Sequence, residues 1–317
     1  MTRIFFIVII TFAFLLTSCV KESDYFVPDG TFEFVGDVQA LKHELRPEPV
    51  LTSFEMPENK TIVQVSDQLQ LVMDAGTLLN EDGNFFSGEV DVRLRTAAAI
   101  SEWAGWDFSM ITEDGFLDAI ASQKIKFHSG DHIDLSVNPD NPPLIRWLSE
   151  DERKDVYLFK RDKESYKWIF YSTDVEYVER ESIVDGVQET TWGYEFTVSD
   201  EGWFTIGTEL LMPHGSDICL IHAEGFTKKN TTSFVTFKNH NTLVILNGWD
   251  ADNPYKNCNS LLRLPINEDV KLSSIAGISG NRYFFDQVSF NLGQSEIEIE
   301  MNPKRNSLSQ ILDRLNN

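Results

Sequence analysis

From Thr61 onward the chain alternates apolar and polar residues in short runs separated by turn-forming residues: TIVQV, LQLVM, EVDVRLRT, DFSMIT, IKF, IDLSV, VYLFKR, KWIFY, VEYVER, YEFTV and WFTIG. In EVDVRLRT, Val90, Val92 and Leu94 alternate with Glu89, Asp91, Arg93 and Arg95, a period of two that sends one face inward and the other to water. Many short strands at close spacing, without long helical patterns between them, predict an all-β sandwich over a parallel α/β sheet. A second series follows MPHGSD: CLIHAEG, SFVTFKN, LVILNGW, LLRLPI, VKLSSIAGI, RYFFDQVSFNL and EIEIEMN. That number of strands suits one further small sandwich. The punctuation Met212-Pro213-His214-Gly215 therefore separates two consecutive antiparallel β-sandwich domains, residues 61–211 and 212–303. In residues 304–317, Leu308, Ile311, Leu312 and Leu315 form one stripe of a short amphipathic helix, with Asn306 or Ser307 as its cap. So short a helix needs a cover, either the second domain or a partner. Asp82-Gly83 and Asp114-Gly115 fall between strand-like runs, where a hairpin turn asks for the positive φ that glycine accepts.

The opening residues have a different pattern. Arg3 precedes an apolar run from Ile4 to Leu16, the length of a secretory signal and too short for a bilayer span. Leu16-Thr17-Ser18-Cys19 resembles the bacterial lipobox, which implies a signal peptide over residues 1–18 and acylation of Cys19; an ordinary signal with a chance cysteine is the alternative. Each buried acyl methylene contributes roughly 0.8 kcal/mol, so several chains such as palmitate anchor a protein lastingly. Residues 19–60 carry repeated Pro and Glu (RPEPV, MPENK), with little periodicity beyond TFEFVGDV, and read as a spacer able to contribute an edge strand. Val20-Lys21-Glu22-Ser23-Asp24 looks like the lysine-plus-acid tether that sends Bacteroidetes lipoproteins to the outer face of the outer membrane, and is equally a generic solvated linker.

Charge narrows the partners. With 27 basic and 50 acidic residues the formal charge is -23, and loss of Arg3 with the signal takes 27 to 26 and the net to -24. A surface of that sign repels phosphate backbones and anionic leaflets, which excludes nucleic acid as a partner and leaves the lipid as the membrane contact. Hydrophobic residues at 42% are ample for a packed core. Besides Cys19 there are Cys219 and Cys258, in a compartment that permits disulfides, so they either bridge or fill the core separately.

Candidate chemistry is sparse. Asp250 and Asp252, with Asn253, place three oxygen-bearing side chains within four residues, a weak Ca²⁺ ligand set that lacks EF-hand spacing and reads first as a polar turn. His128-Ser129 suggests either self-cleavage or a serine served by His132, although a working serine also needs an oxyanion hole. There is no HExxH, GxSxG, Walker A or GxGxxG, and no cofactor is implied. Of seven tryptophans, Trp103 and Trp106 in SEWAGWDF sit in a loop-like stretch where they form either a flat ligand-binding surface or core filling.

The stretch LQLVMDAGTLLNEDGNFFSGEVDVRLRTA, followed by TEDGFLDAIASQKIKFHSGDHIDLSV, resembles a β-sandwich module of Bacteroidetes surface lipoproteins. The matching elements are Ala75-Gly76, Asp82-Gly83, Ser87-Gly88-Glu89-Val90, Glu113-Asp114-Gly115 and Ser129-Gly130-Asp131-His132-Ile133. Met73-Asp74 stands where that family prefers Ile-Pro, and Ala119-Ile120-Ala121 replaces its glycine pair. EGWFTIG, ILNGWDADNPYKNC and VKLSSIAGISGNRYFFDQVSF are similar to the family's closing transthyretin-like or carboxypeptidase-regulatory-like module. The resemblance implies a lipid-anchored, non-enzymatic body displayed on the outer membrane, with an unknown protein or glycan ligand and no catalytic residues. The alternative is a glycan-active hydrolase, or a glycan-binding accessory protein of a surface uptake system, using two of the carboxylates as acid and base.

Overall fold

The computed structural model describes residues 36–184, 187–260, 263–278, 282–293 and 296–317, so Cys19 and the signal lie outside the described residues. The chain runs α1 (Val38–Glu44), β1 (Val50–Glu55), β2 (Thr61–Ser66), β3 (Leu69–Met73), β4 (Leu78–Leu79), β5 (Glu89–Ala97) and α2 (Ile100–Trp106). It continues with β6 (Phe116–Ser129), β7 (Asp134–Val137), β8 (Leu144–Leu148), β9 (Tyr157–Arg161), β10 (Trp168–Ser172), β11 (Glu176–Val184), β12 (Val187–Thr197) and β13 (Phe204–Leu210). Next come β14 (His214–Ser216), β15 (Ile218–His222), β16 (Thr231–Phe237), β17 (Leu243–Leu246), β18 (Gly248–Trp249), β19 (Lys256–Cys258) and β20 (Leu264–Pro265). The last elements are β21 (Asp269–Ile278), β22 (Arg282–Asn291), β23 (Ile297–Met301), β24 (Lys304–Asn306) and α3 (Leu308–Asn316). The fold is all-β with a short C-terminal helix.

In the first half, one sheet has the order β1-β5-β6-β13-β9-β10, with β7 beside β6 and β4 beside β7. It faces a second sheet ordered β11-β12-β8-β3-β2. Alternation supplies the core between them: Val90, Val92 and Leu94 from β5 and Phe204 and Ile206 from β13 meet Leu71 from β3, Trp147 from β8 and Phe196 from β12. Complete burial of such side chains contributes roughly 1.5–3 kcal/mol each, which is what holds the two layers together.

The second half pairs a sheet ordered β17-β16-β21-β22-β24 with one ordered β18-β19-β15-β23. Val235, Val244 and Leu272 face Ile218, Leu220 and Met301 across its core. Here the strand rule departs from simple alternation, because β16 is buried along its whole length, Thr231 to Phe237. Its other face carries Phe234, which packs with Leu41 of α1, Ala104 of α2 and Ile311 and Leu315 of α3. A strand covered on both faces has no solvent-facing row, and Thr231, Thr232, Ser233 and Thr236 are accordingly buried along with the apolar residues. Helix α3 is closed by a capping box in which Ser307 Oγ accepts from the Gln310 N–H at 3.3 Å while Gln310 Oε1 accepts from the Ser307 N–H at 3.2 Å.

Several expectations change. The stretch read as spacer up to residue 60 contains α1, whose Leu41 is 2% exposed, and β1, which pairs with β5 from Val50↔Leu94 to Glu55↔Glu89. The low periodicity of this stretch had hidden a helix of only two turns capped by Asp37, whose Oδ1 accepts from the Gln39 N–H at 2.8 Å. Trp103 and Trp106 belong to helix α2 and not to a loop. Gly83 has the positive φ of a turn, 77°, whereas Gly115 does not; it is needed because a Cβ there would lie 2.4 Å from the Leu210 carbonyl oxygen. Among the described residues one pair, β15 with β23, is parallel, an exception to the antiparallel pattern.

The two halves are joined by more than a linker. Met110 N–H donates to Leu243 O at 2.7 Å and Ala119 N–H to Asn241 O at 3.1 Å. Thr242 Oγ1 donates to Leu117 O at 2.9 Å. The described residues accordingly form a single compact unit.

Candidate functional site

The hairpin β9–β10 ends the first sheet, and its tight turn is built by one carboxylate. Asp162 Oδ2 accepts from the Ser165 N–H at 2.6 Å, from Ser165 Oγ at 2.7 Å and from the Glu164 N–H at 3.1 Å. The backbone N–H donation from Ser165, joined by its hydroxyl, holds the Asp162 carboxyl below its ordinary pKa. Along β10, Trp168 is fully buried, while Ile169 and Phe170 are 48% and 54% exposed. A register shift between Phe170 and Ser172 bends this edge strand. Phe170 rests edge-on against Phe159 and Tyr157, with ring centroids 6.1 and 6.0 Å apart.

Between this hairpin and the loop leading into β13 lies an open cleft of about 620 Å³. Phe170, Ile169 and Trp203 supply its apolar wall; Lys124, Lys160 and Lys163 bring positive charge, and Asp162, Glu164 and Glu201 bring acceptors. Lys160 Nζ bonds Asp200 Oδ2 at 2.7 Å, which ties β9 to that loop. Trp203 is propped from below by Trp106 and Phe108, at centroid distances of 5.0 and 4.8 Å. Arg161 lies over Phe108 at 4.4 Å and over Tyr166 at 5.3 Å, and donates from Nη2 to Asp107 O at 3.1 Å. Burial lowers the Arg161 pKa, against the opposing attraction of Asp107. An apolar floor with a few polar groups is the usual make-up of a ligand cleft.

The two tryptophans singled out from sequence support this cleft without lining it. Trp103 is fully buried, with Nε1 donating to Ala97 O at 2.9 Å, so it is core and not a ligand surface. Trp106 is half-buried, covered by the guanidinium groups of Arg46 at 4.7 Å and Arg95 at 5.5 Å. The exposed role falls to Phe170, beside a Trp203 that is itself half-buried. The exposure of Phe170 follows from the bulged edge strand, which residue spacing alone does not disclose.

The remaining candidates are dispersed. Cys219 and Cys258 are joined as a disulfide between directly opposed residues of β15 and β19. Asp250 and Asp252 lie in a polar turn in which Asp250 Oδ1 accepts from the Asp252 N–H at 2.8 Å and the Asn253 N–H at 3.1 Å. No metal-binding group of His, Cys, Asp or Glu occurs among the described residues. Ser129 Oγ accepts from the Ile133 N–H at 3.2 Å, while His132 turns to Asp91 at 3.6 Å and His128 to Asp134 at 2.8 Å, so serine and histidine are not brought together there. A serine–histidine contact does occur elsewhere. His222 Nε2 is 3.4 Å from Ser233 Oγ and its Nδ1 is 3.4 Å from Ser274 Oγ, but both serines are fully buried and out of reach of a substrate.

Comparison with known proteins adds little. No family model matches the chain, and no curated protein matches it. Among solved structures there is a similarity to the Bacillus anthracis TIE protein, at 10% identity and a TM-score of 0.19, covering 80% of this chain and 40% of that one. The chain thus spans well under half the length of that protein, and at this score the likeness carries neither fold nor function across.

Proposed function

We propose that this protein is a non-enzymatic binding module, held by acyl chains at Cys19 on the outer face of a bacterial outer membrane, and that carbohydrate is taken up in the β9–β10 cleft. The observation that carries the reading is the exposed edge of Phe170 and Ile169 beside Trp203 in a concavity of about 620 Å³. Aromatic side chains offer sugars an apolar face, while neighbouring carboxylates and ammonium groups meet their hydroxyls. Asp162 is occupied in building the β9–β10 turn, where its Oδ2 accepts from the Ser165 N–H, the Ser165 hydroxyl and the Glu164 N–H. The lipobox-like Leu16-Thr17-Ser18-Cys19 supports the anchor and the resemblance to surface lipoproteins supports the address.

A glycan array probed with the mature chain tests the binding. Sugars are expected to be retained by the wild type and lost on Phe170→Ala and Trp203→Ala; binding indifferent to both substitutions, or none at all, overturns the reading. Labelled palmitate fed to the host tests the anchor, and incorporation that survives Cys19→Ser removes it.

A further inference from the structure

We propose that the ligand of the cleft is an acidic oligosaccharide, whose carboxylate or sulfate groups are held by a row of cations on β5 and β6. This rests on the reading of the cleft as a carbohydrate site and names the class of sugar. In the register of these strands Arg93 stands directly opposite Lys126, and Arg95 opposite Lys124. Like charges directly opposed in an antiparallel pair repel each other, and here two such pairs are stacked on one face. The chain has 50 acidic residues against 27 basic ones, so neutralising neighbours are abundant in its composition. None of these four cations has an ion-pair partner among the described residues. Asp91 of β5 lies 3.6 Å from His132 and Asp134 of β7 lies 2.8 Å from His128, while Glu201 attracts Lys124 without forming an ion pair with it.

The four side chains and His128 enclose a notch of about 300 Å³. Partial burial, followed by repulsion from Arg93 and Arg46, lowers the Arg95 pKa; burial and then Lys126 and Arg95 do the same for Lys124. A bound oxyanion would relieve that repulsion, and guanidinium groups match the planar geometry of carboxylate and sulfate. Lys124 lines both the notch and the aromatic cleft, so the two adjoin at its side chain. A ligand lying along both must present anionic groups at one end and an apolar face at the other. The acceptors Glu164 and Glu201 in the cleft call in addition for hydroxyl donors, which sugars have and phosphodiester chains or headgroup surfaces lack in that density. The strongly negative remainder of the molecule also opposes a long polyphosphate or a planar anionic leaflet.

Titration calorimetry of the mature chain at physiological salt would compare a heparin-derived hexasaccharide, an oligogalacturonate, maltohexaose, a DNA oligonucleotide and phosphatidylglycerol vesicles. Binding of at least one acidic sugar in preference to maltohexaose is expected, weakened about tenfold or more in the Arg93→Gln/Lys126→Gln double variant as charged hydrogen bonds are lost. The thermal midpoint of that variant should be unchanged or higher, since repulsion has been removed, which separates lost binding from lost folding. Binding of maltohexaose alone overturns the proposal and leaves the carbohydrate reading in place. Binding of none of the sugars overturns both. Preference for the oligonucleotide or the vesicles, or acidic-sugar affinity unchanged in the double variant, also overturns it.

Discussion

Asp118 of β6 holds His240 across the junction of the two halves, with Oδ2 3.2 Å from the imidazole Nδ1. Its other oxygen accepts from the Asn241 N–H at 2.8 Å and from Arg153 Nη1 at 3.0 Å. One carboxylate therefore fixes the loop between β16 and β17 and the segment before β9. Asp118→Ala strands three donors, and hydrogen bonds to charged groups are worth roughly 1.5–3 kcal/mol each. Partial exposure, 18% for the Asp118 side chain, admits water to some of them. The expected loss is about 2 kcal/mol, read as a lower urea midpoint with unchanged slope.

Arg146 and Glu195 form a buried pair on adjacent strands, with side chains each 6% exposed and Nη2 2.6 Å from Oε1. Arg180 adds bonds to both oxygens of Glu195 at 3.0 and 2.9 Å, and Gln70 accepts from Arg146 Nη1 at 2.9 Å. Glu195→Ala leaves Arg146 buried without its counter-charge, which costs about 3–5 kcal/mol. Replacing Arg146, Glu195 and Gln70 together by apolar residues should cost far less, and chemical denaturation of the two variants checks the contrast.

The same glutamate contributes to acid sensitivity. Burial works to raise its pKa, but donation from Arg180 and Arg146 outweighs this and the net direction is downward. A carboxylate depressed in the folded state stabilises above its unfolded pKa and loses that contribution as pH falls through the folded value. Stability is thus expected to fall below about pH 4.3, the ordinary glutamate value.

His222 acts over a higher window. Burial lowers its pKa from 6.5 to about 4, with Asp286 opposing. Above 6.5 the imidazole is neutral in both states; between there and about 4 only the unfolded chain takes the proton, so stability declines as pH falls and levels off below 4. At 1.36 kcal/mol per pKa unit the full effect is roughly 3 kcal/mol. His222→Gln should flatten the stability–pH curve between 6.5 and 4.

The disulfide closes a loop with a sequence separation of 39. Chain-entropy reasoning assigns such a closure about 4 kcal/mol. Cys219→Ala/Cys258→Ala should lower the guanidinium midpoint accordingly, and added reductant should do the same to the wild type and nothing to the variant.

The strand content was legible because a period of two survives wherever one face meets water, as in β5 with Val90, Val92 and Leu94. It reached β16 as well, read as SFVTFKN, but not the fact that Phe234 and Val235 are buried on opposite faces, because covering of the second face depends on helices that pack on it. Helices α1 and α2 escaped notice because seven residues hold only two turns, too few for a 3.6-residue stripe to stand out. For Cys219 and Cys258 the sequence left a bridge and separate burial both open, and their direct opposition in β15 and β19 decides for the bridge. The cations of β5 and β6 could be read in EVDVRLRT and KIKF, but their opposition depends on which residue of β6 faces Arg95, and no local pattern states that.

The parallel pairing of β15 with β23 links Ile218 to Ile297. Adjacent hairpins close as they emerge, but this ladder waits for a segment 79 residues further along, 297 minus 218. Until then β15 offers a raw edge to any other extended chain it meets.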